Sequence, residues 1–138
     1  MRKTAVVKIE AEGRDKGKQF IITEMAAEPL EDWALRALLG IMKHADFDPS
    51  VGQELLTNGA AGLASLGMAA LMRMDHTDLR PLLEEMMACV ELIPDPTKPD
   101  IKVSISAFPE QIEEVATRVK LRSEWFVLNL GFSIPGVR

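Results

Sequence analysis

The side chains able to do chemistry in this chain are two histidines, one cysteine, scattered hydroxyls and a basic loop holding two glycines. His44 and His76 lack the spacing partners of a zinc or iron site, because the chain contains no HxH, HExxH or CxxC. Asp75 and Asp78 flank His76, which fits a capped helix start better than a ligand set. Cys89 is the sole cysteine and sits in the apolar run MMACVEL, so it reads as a buried small hydrophobe rather than a thiolate with a base beside it. No intramolecular disulfide can form, which fits a reducing cytoplasm. Gly59, Gly62 and Gly67 build neither a P-loop nor a dinucleotide fingerprint, and Ser65 stands in LASLG rather than GxSxG. The loop Gly13, Arg14, Asp15, Lys16, Gly17, Lys18 could hold an anion, although a solvated hairpin loop is the plainer reading. The expectation is no catalytic residues, no metal and no cofactor.

Packing and partners must then carry the function. At 138 residues, with 47% hydrophobic and 27% charged residues, the chain is long and apolar enough for a single folded domain over 1–138. A net charge of −5 without basic and aromatic interleaving argues against nucleic acid. The N-terminal MRKTAVVKIEAEGRD has no apolar core of a signal peptide. Residues 59–72, GAAGLASLGMAALM, lie in an uncharged run between Glu54 and Arg73. Thr57, Asn58, Gly59, Gly62, Ser65 and Gly67 dilute that run, and a membrane span needs about 20 predominantly apolar residues. A small-residue helix over about 60–73, packed closely on another helix, is expected instead.

The elements follow from periodicity. TAVVKIE and KQFIIT, separated by a polar loop, predict a β-hairpin over 4–23 with Val7 and Ile9, and Phe20 and Ile22, on shared faces. A helical body over 29–92 comes next. Pro29 opens a helix to about 45 with Leu30, Trp33, Ala34, Ala37, Leu38 and Ile41 inward. Asp48-Pro49 opens a short helix to about Leu56. A further helix runs over about 76–92, with Pro81 in its first turn and a start near Asp78. A proline-rich link and a candidate third strand, IKVSISA, occupy 94–106, the strand pairing with the hairpin. The last helix spans 109–130, with Glu114 and Arg118 paired one turn apart and Gly131 ending it. The fold class is α+β, mostly helical, with an N-terminal β-hairpin.

That last helix carries two apolar stripes. Ile112, Val115, Ala116, Val119, Phe126 and Leu130 form one; Leu121, Trp125, Leu128 and Phe132 form the other. Either the helix is deep in the core, or one stripe covers the domain and the second meets another chain. Eight methionines, among them Met68, Met72 and Met74, fit core gap-filling or an adaptable binding surface. The candidate partner-binding residues are Leu121, Trp125, Leu128 and Phe132, with Met72 and Met74 as lesser ones, and self-association through the same stripe is expected.

The segments GRDKGKQFIITEM, WALRALLGI, PLLEEMMACVELIPDP and IEEVATRVKLRSEWFVLNLGF, in that order, resemble the phage tail assembly chaperone family of long-tailed bacteriophages and prophages. The resemblance runs over nearly the whole chain, and none of its motifs is catalytic. It implies a non-enzymatic protein of the bacterial host cytoplasm. Such a protein binds the tape measure protein, a long, largely helical chain, and keeps it soluble while tube subunits polymerise around it. It brings no catalytic residues. The competing reading is a structural virion component, a tail-tube or terminator subunit, for which the chain offers little β structure.

Overall fold

The computed structural model describes residues 1–43, 71 and 74–130, the side chain of Met42 excepted. The architecture is α+β, a four-stranded antiparallel sheet with three α-helices among the described residues. The helices read from sequence over 48–56 and 60–73, Leu71 apart, and the breaker Gly131, lie outside the described residues. The chain forms two compact units, Met1–Glu24 with Glu84–Leu128, and Met25–Leu83 with Asn129–Arg138.

In the first unit, β1 (Thr4–Lys8) and β2 (Gln19–Thr23) form the predicted hairpin, with Val7 opposite Phe20 and Ala5 opposite Ile22. Val7, Ile9, Phe20 and Ile22 are buried, as the two-residue side-chain period requires. The connecting loop folds back on itself. Gly17 N–H donates to Ile9 O at 2.7 Å, and Lys18 N–H donates to Asp15 O at 3.1 Å. Gly17 holds φ +89°, a backbone region that an L side chain rarely enters.

Two corrections concern the rest of the sheet. The helix read to residue 92 stops at Met87, and Val90–Ile93 is instead β3, antiparallel to β2 with Val90 opposite Ile22. In VELI the apolar residues alternate around Glu91, and an open ladder on β2 satisfies their backbone better than a frayed helix end. β4, only Val103–Ser104, pairs with β3 and not with the hairpin, so β3 takes the place expected for IKVSISA. The third correction is to the last helix. It is broken: a 3-10 turn spans Pro109–Gln111, Ile112 is extended, and the α-helix covers only Val115–Leu130.

Numbering the α-helices in chain order, that last one is α3. α1 is Ala27–Lys43, with Glu28 and Pro29 in its first turn and Lys43 in its last, in keeping with the helix dipole. Trp33, Ala34, Ala37, Leu38 and Ile41 are fully buried along one side. α2 is His76–Met87 and begins two residues before the expected start. Asp75 O accepts from both Asp78 N–H at 3.0 Å and Leu79 N–H at 2.9 Å, which sets that start. Pro81 therefore lies beyond the first turn and leaves the Thr77 carbonyl without its helical donor. Trp33 Nε1 donates to Leu82 O at 3.1 Å and ties α1 to α2. Asn129, fully buried, accepts from Met25 N–H at 2.9 Å.

A Cβ at Gly17 would meet no atom within 4 Å, so Gly17→Ala tests backbone strain alone. The expected loss is about 1–2 kcal/mol of unfolding free energy, read by urea denaturation with the m-value unchanged.

Candidate functional site

The basic loop exposes Gly13, Arg14, Lys16 and Gly17 and closes around one of its own residues. Asp15 fills its centre and is 1% exposed. Its carboxylate accepts from Glu113 N–H at 3.1 Å, Glu114 N–H at 2.8 Å and Thr117 Oγ1 at 2.7 Å, all at the start of α3. Lys18 Nζ donates to Asp15 at 2.9 Å and to Gln111 O at 2.8 Å. Arg14 adds Nε to Glu114 Oε1 at 2.9 Å and Nη2 to Glu113 O at 2.7 Å. Glu114 thus pairs with the loop, a correction to the expected Arg118 partner. It precedes the α-helix, so no helical turn brings it to Arg118. The loop supplies its own anion to a helix N-terminus, where unpaired amides and the dipole favour one.

The electrostatics follow from that geometry. Burial alone would push the Asp15 carboxyl up; hydrogen bonds from Lys18, Thr117 and the two amides outweigh it and bring it from 3.8 down to about 2. Lys18 is raised, since burial opposes its charge but Asp15 and Glu113 more than offset that. Cys89 is half-buried in the turn before β3, not inside a helix, and its Sγ donates to Glu85 O at 3.6 Å. Burial pushes its thiol up, away from the thiolate form.

The stripe chosen for partner binding turns inward. Leu121 and Trp125 are fully buried and Leu128 is half-buried; Phe132 and Met72 lie outside the described residues. Val115, Val119 and Val127 are 75%, 49% and 53% exposed; the first two belong to the other stripe, whose Ile112, Phe126 and Leu130 are buried. The physical reason is area: burying Trp and Leu withdraws more apolar surface from water than burying valines. Thr117, buried one turn before Leu121 and bonded to Asp15, was the missed signal of which side faces in.

Met74 is the predicted residue that reaches a surface groove. At 8% exposure it forms part of the lining of a groove of about 380 Å³ between α1 and α2, with Leu39, Gly40, Thr77, Pro81 and Leu82. Gly40 makes this possible, since a Cβ there would sit 3.2 Å from Met74 Sδ. Leu39, 55% exposed, stands beside it. Three charged residues, Arg36, Lys43 and Asp78, share the lining: Arg36 Nε pairs with Asp32 at 2.8 Å, and Lys43 Nζ approaches Asp78 at 3.6 Å. Sequence reasoning missed Leu39 because it read that helix for its buried side alone. Such a surface can take apolar side chains presented at helical spacing. Among the described residues no three His, Cys, Asp or Glu side chains converge on a metal-sized site, and no helix is long and apolar enough to cross a membrane.

Compared with known proteins, the chain matches no family model, no curated protein and no solved structure.

A carboxyl held below its unfolded value stabilises fully above about pH 4, and the effect fades as pH falls toward about 2. Asp15→Asn is expected to cost about 2–3 kcal/mol at neutral pH, with the gap to wild type closing over that acid range. Urea denaturation of both proteins across the pH series checks it; a gap independent of pH refutes the assignment.

Proposed function

We propose that this chain is a non-enzymatic phage tail assembly chaperone that holds the tape measure protein during tail morphogenesis in the bacterial cytoplasm. The resemblance of its ordered segments to that family supports this reading. The observation that carries it is the α1–α2 groove, where flexible Met74 and exposed Leu39 provide an adaptable apolar seat beside the charged side chains of Arg36, Lys43 and Asp78. A largely helical client offers apolar residues at the three- and four-residue spacing such a groove accepts. Surface pairs such as Arg36–Asp32 and Lys43–Asp78 are weak enough to rearrange around it. The inward stripe of Leu121 and Trp125 plays no part in this contact, since both side chains are fully buried.

Co-expression with a phage tape measure protein tests the proposal. The client should become soluble and co-purify, and the chain should be missing from purified particles by mass spectrometry. Leu39→Asp leaves the core untouched and should cut recovery of the complex at least tenfold, about 1.4 kcal/mol or more. Unchanged client solubility defeats the chaperone reading, and recovery of the chain from mature particles would favour a virion subunit.

A further inference from the structure

The strand order β1-β2-β3-β4 puts β1 at an edge of the sheet. The ladder determines which of its backbone groups face out. Ile9 N–H donates to Lys18 O and Glu24 N–H donates to Lys3 O, each at 2.9 Å. With the intervening register, Lys3, Ala5, Val7 and Ile9 turn their amides and carbonyls toward β2. Thr4, Val6 and Lys8 turn theirs away, and among the described residues no strand takes them up. Val6 is also 59% exposed. The edge TAVVK has no proline or glycine to blunt it, and an open edge of this kind pairs readily with another strand.

We propose that β1 pairs antiparallel with β1 of a second copy, about a two-fold axis at Val6. In that register Val6 faces the partner's Val6, and Thr4 faces the partner's Lys8. The outward amides and carbonyls of each pair are exchanged, and the sheet continues through both copies. Charge selects the register. Arg2 falls opposite the partner's Glu10, and symmetry repeats the pair at the other end; both residues are exposed. Shifting by two residues one way sets Arg2 against the partner's Lys8, a like-charge pair. Shifting the other way replaces the Val6 contact by Val6 against the partner's Lys8. Only the register centred on Val6 combines opposite charges at both ends with an apolar centre. The occupant is therefore a second copy of this chain, because the strand complements itself. This pairing uses a surface remote in sequence from the client groove and stands apart from the chaperone reading.

Sedimentation equilibrium on the full chain, alone, tests it. Wild type should be a dimer that dissociates on dilution. Val6→Pro removes an amide hydrogen that the β1–β2 ladder does not use, so it should yield a folded monomer with unchanged circular dichroism. Arg2→Glu should raise the dimer dissociation constant roughly tenfold, and adding Glu10→Arg should restore it. A wild-type monomer at about 100 μM overturns the proposal, as does a dimer that Val6→Pro leaves intact or a charge swap that fails to rescue. If Val6→Pro proves unfolded, the two charge variants decide the matter alone.

Discussion

A single buried carboxylate organises the sheet-bearing unit. Asp15 sits in the hairpin loop yet takes its hydrogen bonds from residues 113, 114 and 117, about a hundred positions later in the chain. Burying a charge is costly unless every lone pair finds a donor, and here two amides, a hydroxyl and an ammonium supply them. The contact breaks the C-terminal helix. The chain is extended at Ile112 and coils only from Val115, because the amides of Glu113 and Glu114 bond to Asp15. It also sets the rotation of α3, since Thr117 must face the loop and Leu121 and Trp125 lie on the same side.

That rotation hides the larger members of both apolar stripes, Leu121 and Trp125 of one and Phe126 and Leu130 of the other. Two sides of α3 are greasy enough to serve as a core face, and the larger side chains win the interior. What remains outside is a row of valines, modest in area. The molecule's adaptable apolar surface lies in the other unit, where Gly40 lets Met74 settle against α1 and Leu39 stands out beside it. A glycine inside a helix costs about 1 kcal/mol relative to alanine, and the close approach of Met74 gives that position a purpose.

The sheet has a comparable division between closed and open sides. β2 and β3 are paired along both edges, with Phe20, Ile22, Val90 and Leu92 buried. β4 is too short to offer much of an edge. Among the described residues no strand pairs with the outward backbone groups of β1, which stand beside exposed Val6.

Local pattern was enough for the hairpin and its buried face, because two-residue alternation in TAVVK and QFIIT marks that face unaided. It was enough for α1, whose buried residues recur at helical spacing behind Pro29. It was not enough at residues 90–93, where four residues suit either period and the free edge of β2 made the choice. Nor did it reveal Asp15. An aspartate between glycines and lysines looks like any solvated turn, and its burial depends on a partner a hundred residues away. The sequence by itself determined which segments had greasy sides. The tertiary structure decided which sides were hidden, because that choice turns on contacts between residues far apart in the chain, which no local spacing encodes.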